Sequence, residues 1–421
     1  MSLHLSWVDS ANLARSDFPL NNLPCGVFSH GPEDPRCGMA IGDFVLDLTA
    51  LEEEGLLTLT GGPYLDVPFW NEVMEAGPDI WADLRAQVTA HLAKDAPTRA
   101  AIEPHLLPLG AVTLHLPFLV SEYTDFYSGK HHAMNVGTMM RGAENALPPN
   151  WLHIPIGYNG RASSVVVSGT PVRRPWGQVK GPDHAVPAFQ PSRRFDIELE
   201  LGAVVGQGST LGRPVTVEEA DAMIFGFVLL NDWSARDIQG WEYQPLGPFQ
   251  AKATATTISP WIVMTAALEA HRTSTPEREK PLLPYLHEPR PMLFDIELEV
   301  ALAPMGQPET VIARTNYKEM YYSAAQQLAH HTTSGCAMNV GDLLGSGTIS
   351  GPQKGNRGSL MELSWGGKEP FEVAGGTRSF IEDNDTLTLR GYARGDGFKI
   401  GFGSCVGQVI PALADPYARK K

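Results

Sequence analysis

The strictest pattern in this sequence is an alternation of apolar and acidic residues between Phe195 and Leu201. A period of two is typical of a β-strand, because successive side chains point to opposite faces. One face would be apolar, and the other would carry Asp196, Glu198 and Glu200. The hexapeptide FDIELE recurs from Phe294 to Glu299, with a second acidic face. A half-exposed strand is an equally good interpretation of either copy, so the pattern alone does not identify a metal site.

Much of the remaining sequence also predicts strands. Short apolar groups separated by Pro, Gly and Asn occupy the first forty-odd residues, and the Gly-rich chain beyond residue 340, including 358–365, is strand-like. Val165 to Val167 is a short strand, and Phe225 to Leu230 is an apolar strand that ends abruptly in charged residues. There is no G-x-G-x-x-G turn. We therefore predict a mainly β fold with some α.

Few helices are predicted. One is capped by Asp79 and has its apolar residues on one stripe of period 3.6, namely Trp81, Leu84, Val88 and Leu92. Thr216 with Glu219, and Asn316 with Glu319, have the spacing of capping boxes that start two further helices. Segment 171–191 is interpreted as a long loop.

The length of the chain predicts two domains. At 421 residues it exceeds the size at which a single core usually stops growing. Segment 104–117, which mixes Pro and Leu, is interpreted as a linker. We therefore place the domains at residues 1–117 and 118–421.

Charge and cysteine content exclude several classes of protein. A net charge of -15, with no Lys/Arg-rich run before the tail Arg419-Lys420-Lys421, argues against a nucleic-acid partner. The four cysteines are scattered without a C-x-x-C pair, which favours reduced thiols in the cytoplasm over a disulfide framework or a zinc-thiolate site. No stretch of about 18 apolar residues occurs, so we expect neither secretion nor membrane spanning.

The stretch from Ser121 to Gly142 is the best candidate for a functional site. It holds a carboxylate, two tyrosines, two adjacent histidines and an arginine, in order Tyr123, Asp125, Tyr127, His131, His132 and Arg141. Such polar groups are costly to bury unless function or pairing requires it. With its glycines it is interpreted as a loop leading into a helix, and a merely polar loop is the alternative.

Four carboxylates are candidate metal ligands: Asp125, Glu198, Glu200 and Asp232. Brought together they would repel one another unless a cation lay among them. Oxygen ligands favour a hard ion such as Mg²⁺ or Ca²⁺. The alternative is that the acidic strand faces are solvated.

His132 is the best candidate for a general base, because imidazole titrates near neutrality. His131 is equally well placed on the sequence alone, and either could be structural. A base needs a partner that fixes its tautomer, and Glu362, which stands among apolar neighbours, is a plausible one. Arg236, Gln239 and Tyr243 have the spacing of one helical face, so they could point into one pocket or form a solvated helix end.

The chain carries a longer set of motifs in addition. They begin with Ser6-Trp7-Val8, Ser16-Asp17-Phe18-Pro19 and Asn22-Leu23-Pro24, and continue through Tyr123-Thr-Asp-Phe-Tyr127, His132-Ala-x-Asn-Val-Gly137, Asn231-Asp232-Trp233, Trp241-Glu-Tyr243, Ser346-Gly-Thr348, Gly358-Ser-Leu-Met-Glu362 and Gly401-Phe-Gly-x-Cys405. In these motifs the sequence resembles the fumarylacetoacetase family nearly end to end. The resemblance implies a small SH3-like N-terminal domain, a large β-rich domain and a homodimer.

The resemblance also implies roles for individual residues. The metal ligands would be Asp125, Glu198, Glu200 and Asp232, with the two glutamates taken from the first FDIELE copy. Lys252, Thr256 and Thr257 would form a second cation loop, which is less closely matched. His132 would be the base with Glu362 behind it, while Arg236, Gln239 and Lys252 would stabilise the oxyanion and the leaving carbanion. Substrate would contact Tyr127, Arg141, Tyr158, Gln239, Tyr243 and Thr348. The departures from the family pattern, at Gly129-Lys130, His131 and Met134, affect neighbours of these residues.

The activity implied by the resemblance is metal-dependent hydrolysis of a carbon–carbon bond. It would convert 4-fumarylacetoacetate and water to fumarate and acetoacetate, the last step of tyrosine and phenylalanine breakdown through homogentisate. An acylpyruvate hydrolase or a decarboxylase of oxo-diacids is the nearest alternative, but those relatives resemble mainly the large domain. A protein that binds carboxylates without catalysis is the alternative from another class, and the His132 and Glu362 pair weighs against it.

Overall fold

The N-terminal quarter of the chain forms an antiparallel sheet with helices packed on it. The computed structural model describes residues 2–181, 183–415 and 417–418, so the tail Arg419-Lys420-Lys421 lies outside the described residues. The strands are β1 (Cys25–Ser29), β2 (Arg36–Ile41), β3 (Phe44–Asp47), β4 (Leu106–Pro108) and β5 (Thr113–His115). The helices are α1 (Leu48–Glu53), α2 (Asn71–Glu75), α3 (Pro78–Leu92) and α4 (Arg99–Ile102). The SH3-like character of this region stays a prediction.

Segment 104–117 is not a linker. Its strands β4 and β5 pair with β3 and β1, so the segment completes the N-terminal sheet. Pro108 is tolerated because β4 lies at the edge of the sheet, where a missing backbone N–H leaves no gap in the ladder.

The stripe of apolar residues on α3 is confirmed, since Trp81, Leu84, Val88 and Leu92 are all buried. The predicted cap is wrong by two residues. Gly77, at a φ of 95°, occupies the cap position, and Pro78 begins the helix. Proline is suited to that first position because its φ is already helical and no hydrogen bond is lost. Asp79 lies in the first turn instead.

The rest of the chain is dominated by strands. They are β6 (Tyr123–Phe126), β7 (Gly157–Asn159), β8 (Val165–Val167), β9 (Val172–Arg173), β10 (Trp176–Val179), β11 (Ala188–Pro191), β12 (Phe195–Asp196), β13 (Leu199–Val205), β14 (Ile224–Asp232), β15 (Ser234–Ala235), β16 (Thr256–Ile258), β17 (Trp261–Met264), β18 (Arg272–Thr273), β19 (Leu293–Phe294), β20 (Glu297–Ala303), β21 (Thr310–Asn316), β22 (Leu343–Gly345), β23 (Phe371–Val373), β24 (Gly376–Arg378), β25 (Thr386–Arg394) and β26 (Lys399–Ile410). The helices are α5 (Lys130–Arg141), α6 (Val217–Met223), α7 (Arg236–Glu242), α8 (Thr265–Leu268), α9 (Ala324–His331) and α10 (Leu360–Leu363). The predicted mainly β fold is confirmed.

One large sheet runs through both parts of the chain. Its strands follow the order β4-β3-β2-β1-β17-β14-β13-β22-β6-β7, so the N-terminal sheet continues into the C-terminal one through the β1–β17 pair. A second sheet of five strands has the order β21-β20-β25-β26-β9. In the described residues no helix has both the length and the apolar character that crossing a membrane would require.

Three local predictions need correction. Segment 171–191 contains the hairpin of β10 and β11. Asn316 caps only a short 3-10 turn, and α9 begins after Ser323, which forms a capping box with Gln326. Segment 358–365 contains the short helix α10 rather than a strand, because the Ser359 side chain accepts from the N–H of Glu362 and caps it. The capping box of Thr216 with Glu219 is confirmed at α6.

Candidate active site

Neighbouring strands of the large sheet bring the candidate metal ligands together. Asp125 on β6 pairs with Gly345 on β22, and β22 pairs in turn with β13, which carries Glu200. Asp232 ends β14, the strand on the other side of β13. The predicted FDIELE strand is broken after Asp196, so Glu198 lies in the short gap between β12 and β13. Its acidic side chains are not solvated, because Asp196, Glu198 and Glu200 are all buried.

Three of these carboxylates form a compact group. Asp125, Glu200 and Asp232 each offer one oxygen, and these oxygens lie within 4.8 Å of one another. Burial, and the repulsion of the neighbouring carboxylates, raise the pKa of each group, although Lys252 acts in the opposite direction. Three buried carboxylates this close are stable as anions only with a cation among them.

Each carboxylate of this group has one oxygen that accepts a hydrogen bond and one that does not, within the described residues. Tyr158 donates its hydroxyl hydrogen to Asp125 Oδ2 over 2.6 Å, and the Gly347 N–H donates to Glu200 Oε2 over 2.9 Å. Among the described residues nothing hydrogen-bonds the other oxygens of the group, Asp125 Oδ1, Glu200 Oε1 and Asp232 Oδ1. Unpartnered buried oxygens of this kind fit a hard divalent cation, which takes oxygen ligands.

Glu198 lies beside this group and faces two cations. Arg236 Nη2 donates to its Oε1 over 2.6 Å, and Lys252 Nζ donates to its Oε2 and to Asp232 Oδ2. Burial opposes ionisation of Glu198, but Arg236 and Lys252 together hold its pKa far below the usual range. The same carboxylates raise the pKa of Lys252 despite its burial. A protonated amine has no free electron pair, so the Lys252 side chain acts here as a donor.

Two threonines close to Asp232 differ in their contacts. Thr256 pairs with Asp232 across β14 and β16, and its buried hydroxyl oxygen has no hydrogen-bond partner among the described residues. The Thr257 hydroxyl instead accepts from Trp233 Nε1 over 2.8 Å. Of the two, Thr256 is the one with free hydrogen-bonding capacity beside the carboxylates.

His132 and Glu362 meet as a hydrogen-bonded pair. His132 Nδ1 donates to Glu362 Oε2 over 2.6 Å, and both side chains are buried. Burial opposes ionisation of Glu362, but the adjacent His132 lowers its pKa. The other ring nitrogen, Nε2, lies 3.5 Å from Glu198 Oε1 and so faces the acidic group. His131 lies outside, partly exposed, 3.5 Å from Glu319.

Asp196 is a member of the site for which no separate role was predicted. Its carboxylate accepts from Arg236 Nε over 2.8 Å, and also from the N–H groups of Leu360 and Met361 at the start of α10. It therefore ties Arg236 to the helix that carries Glu362. Asp196 was visible in the first FDIELE copy, but its partner Arg236 lies 40 positions away in the sequence, and the local pattern gives no indication of that pairing.

A cavity of about 300 Å³ opens onto these groups. Its lining includes the residues predicted to contact substrate, Tyr127, Arg141, Tyr158, Gln239, Tyr243 and Thr348, together with Asp125, Glu198, Glu200, His132 and Lys252. Arg236 is not in this lining. Its Nη1 donates to Gln239 Oε1 over 3.1 Å, which turns the Gln239 amide so that its NH₂ group is available to the cavity.

An apolar wall of the cavity was not predicted. It is formed by Val136, Met140, Ile156, Leu246 and Pro248. Val136 and Met140 follow His132 at intervals of four on α5, so one helix face carries the histidine and then the apolar wall. The i,i+4 spacing in the sequence could have identified these two residues.

The second FDIELE copy has a structural role. Glu297 accepts from Arg394 over 2.9 Å, Glu299 lies 2.9 Å from Arg314, and Asp295 accepts from Asn316 over 2.6 Å. These acids lie on or next to β20 in the five-stranded sheet and are at least partly exposed. The same six residues thus form a buried acidic group in one place and surface ion pairs in the other.

Known proteins resemble this chain over almost all of its length. Two family models match it, one described as "Fumarylacetoacetase N-terminal" over residues 21–117 and one as "Fumarylacetoacetate (FAA) hydrolase C-terminal" over residues 122–410. Fumarylacetoacetase of Bos taurus is 48% identical over 413 residues, covering 95% of this chain and 97% of the relative. That of Arabidopsis thaliana is 44% identical over 423 residues, covering 98% and 100%. That of Homo sapiens is 47% identical over 415 residues, covering 94% and 97%.

Among solved structures, a fumarylacetoacetate hydrolase from Exiguobacterium antarcticum superposes with a TM-score of 0.53 at 17% sequence identity. The match covers 92% of this chain and 99% of that chain. At this identity the likeness shows the fold alone.

Proposed function

The chain belongs to the fumarylacetoacetase family, and we propose that it hydrolyses 4-fumarylacetoacetate to fumarate and acetoacetate, the step that ends tyrosine and phenylalanine breakdown. It is a hydrolase of carbon–carbon bonds in ketonic substances. The observation that carries this proposal is that one cavity is lined by members of both a buried acidic group and a His–Glu pair. The first suits a chelated diketone, and the second suits activation of water.

The His–Glu pair supplies the nucleophile in this proposal. Because His132 Nδ1 donates to Glu362, its Nε2 is the nitrogen that is free to take a proton from water. The resulting hydroxide attacks the carbonyl carbon beside the fumaryl group. The carbon–carbon bond then breaks, and its electron pair leaves with acetoacetate as an enolate. His132 Nε2 returns its proton to the enolate carbon of acetoacetate, and the new carboxyl group of fumarate loses its proton to solvent.

Cationic and amide side chains can stabilise the negative charge that develops on the carbonyl oxygen when hydroxide attacks. Lys252 and the NH₂ group of Gln239 line the cavity and can donate to the oxyanion. Arg236 acts through Gln239, whose amide it orients. Carbon is a poor leaving group unless its charge is delocalised, so these donors are needed at the diketone end.

The acidic group would hold a divalent cation. We propose Asp125, Glu200 and Asp232 as ligands, with Glu198 beside them and Thr256 next to Asp232. Mg²⁺ or Ca²⁺ fits this donor set, which contains carboxylate and hydroxyl oxygens. When bound, such an ion supplies Lewis acidity that lowers the energy of the diketone enolate.

Another part of the cavity lining fits the fumaryl part of the substrate. Its apolar wall, with Val136 and Met140, suits the carbon–carbon double bond. Arg141, the next residue on α5, can meet the terminal carboxylate together with Tyr127. Two of its guanidinium nitrogens already donate to the carbonyls of Asn145 and Ala146, which hold the group in place.

The other candidate functions have less support. An acylpyruvate hydrolase or an oxo-diacid decarboxylase would share the large domain, but the family match here includes residues 21–117. A binding protein without catalysis would not need the buried His132 and Glu362 pair, which is costly to bury.

We also propose two domains, residues 1–117 and 118–421, a homodimer, and a cytoplasmic location. The separate family matches over 21–117 and 122–410 support the division. Several large apolar side chains are exposed and could serve a subunit contact, namely Phe189, Trp241, Leu246, Phe249 and Tyr417. Light scattering coupled to size-exclusion chromatography would test the dimer, and a monomer at micromolar concentration would contradict it.

A direct assay tests the function. The absorbance of the diketone should fall when the protein is added to 4-fumarylacetoacetate in the presence of Mg²⁺ or Ca²⁺. Acetopyruvate, which lacks the fumaryl group, is the comparison substrate. No turnover of the first with either ion, or a higher kcat/KM for the second, would contradict the proposal.

A further inference from the structure

The carboxylate of Glu362 is held at both of its oxygens by one face of α5. His132 Nδ1 donates to Oε2 over 2.6 Å, and Asn135 Nδ2 donates to Oε1 over 2.9 Å. Residues three apart lie next to each other on a helix, so the two donors form a clamp. Neither the sequence patterns nor the resemblance gave Asn135 a role.

The two oxygens of Glu362 are not equivalent. Besides His132, Oε2 accepts from Ser350 Oγ over 3.0 Å and from Ser359 Oγ over 2.8 Å. Asn135 is the donor that Oε1 has within the described chain. Glu362 is completely buried, so an oxygen that lost its donor would not be compensated by bulk water.

The consequence of losing that donor follows from geometry. A carboxylate can turn about the bond to its neighbouring carbon, and an unpartnered Oε1 would turn toward the two serine hydroxyls. Oε2 would then move away from the line of His132 Nδ1. The imidazole ring would lose the contact that sets its tilt, and Nε2 would no longer point at a fixed place in the cavity.

We propose that Asn135 is a positioning residue for the hydrolysis: by occupying Glu362 Oε1 it keeps Oε2 aligned with His132 Nδ1, and so aims Nε2 at the attacking water. This inference rests on the proposed function. Asn135 thereby becomes a third member beside His132 and Glu362. It acts through Glu362 and does not touch the substrate.

Three variants test the proposal. Asn135→Leu removes the donor but keeps a branched side chain with the same number of heavy atoms, and Asn135→Asp replaces the donor with a carboxylate that repels Glu362. Met134→Leu, at the exposed neighbouring position, is the matched control. We expect kcat to fall about 10- to 100-fold in Asn135→Leu and further in Asn135→Asp, as is usual for groups that orient a catalytic side chain. KM should stay within about threefold, because the substrate-contacting residues are unchanged.

A second measurement does not depend on turnover. The short bond from His132 Nδ1 to Glu362 should give a downfield N–H proton resonance in wild-type protein, assigned by its loss in His132→Ala. We expect this resonance to shift or broaden in Asn135→Leu and to stay in place in Met134→Leu. It can be recorded for the folded Asn135→Asp protein if the leucine variant does not fold.

The outcomes separate cleanly. An unchanged resonance, or a kcat within about threefold of the Met134→Leu control, would overturn the role of Asn135. A loss that appears in KM with kcat unchanged would also overturn it. If the wild-type protein has no activity on 4-fumarylacetoacetate, the proposed function fails, while the resonance still decides whether Asn135 positions His132.

Discussion

Glu200 and Glu299 occupy the same position in the two FDIELE copies, yet Glu200 is fully buried with two other carboxylates, whereas Glu299 is paired with Arg314 in a different sheet. Local sequence is the same in both places. What differs is the set of partners that the fold brings to each residue, namely two further carboxylates for Glu200 and arginines for Glu299.

Glu200→Gln should abolish tight binding of Mg²⁺ or Ca²⁺, because it removes one of three converging carboxylates. We expect the affinity measured by calorimetry to fall at least about 100-fold. Glu299→Gln is the matched control and should bind as wild type does. Equal effects in the two variants would contradict the assignment of the metal site to the first copy.

His132→Ala should lower kcat by at least about 1000-fold, since it removes the group that takes the proton from water. His131→Ala should leave kcat within about twofold, because His131 is partly exposed and faces Glu319. Steady-state kinetics with 4-fumarylacetoacetate distinguishes the two. A larger effect at His131 would reverse the assignment.

The metal-free protein should lose stability as pH rises. Asp125, Glu200 and Asp232 have raised pKa values in the folded protein, so the folded state binds more protons than the unfolded state above the ordinary carboxyl pKa of about 4. These three groups therefore contribute most to the free energy of unfolding near the ordinary carboxyl pKa. Their contribution is lost as the pH rises through the raised pKa values of the folded protein. Urea unfolding in EDTA at several pH values measures this.

Two controls sharpen that experiment. Glu200→Gln should give a flatter dependence on pH, because one raised group is removed. Added Mg²⁺ or Ca²⁺ should restore stability most strongly at the alkaline end, where the carboxylates are ionised. An EDTA-treated wild-type protein that becomes steadily more stable from pH 5 to 8 would contradict the expectation.

Asp196→Asn should destabilise the protein by about 2–3 kcal/mol and also lower kcat. It removes the charge that pairs with the buried Arg236, and weakens the hydrogen bonds to the start of α10. Chemical unfolding gives the first quantity and kinetics the second. Asp295→Asn, at the equivalent position of the second copy, should change neither by much, since Asp295 is exposed. An equal loss of stability and kcat in Asp295→Asn would contradict the different roles of the two aspartates.

Met140→Gln should raise KM for 4-fumarylacetoacetate about 5- to 10-fold with little change in kcat. A polar amide in the apolar wall must be desolvated against the fumaryl double bond. Acetopyruvate should be affected less, because its acyl group is short. An equal rise in KM for both substrates would show that Met140 does not select the acyl group.

The sequence was sufficient for elements whose signal is local. The apolar stripe of α3, the capping box of α6 and the strand β14 were predicted because each depends on neighbours within a few residues. The prediction of a linker at 104–117 was wrong because prolines at an edge strand and prolines in a linker look alike without the partner strands β1 and β3.

Most of the site depends on contacts far apart in the chain. The residues alone suggested His132 and Glu362, but only the fold brings together side chains 230 positions apart. Residue patterns could not choose between His131 and His132, since the difference is which side of α5 faces the acidic group. Asp196 and Asn135 were missed for the same reason, because their partners are Arg236, α10 and Glu362.

The β1–β17 pair has a practical consequence for work with fragments. Residues 25 and 26 pair with 262 and 261, and apolar residues of both parts share one core. A recombinant fragment starting at residue 118 would present the β17 backbone as an open edge and uncover apolar side chains such as Ile262 and Met264. Such a fragment is expected in inclusion bodies, and co-expression with residues 1–117 is the way to recover it in soluble form.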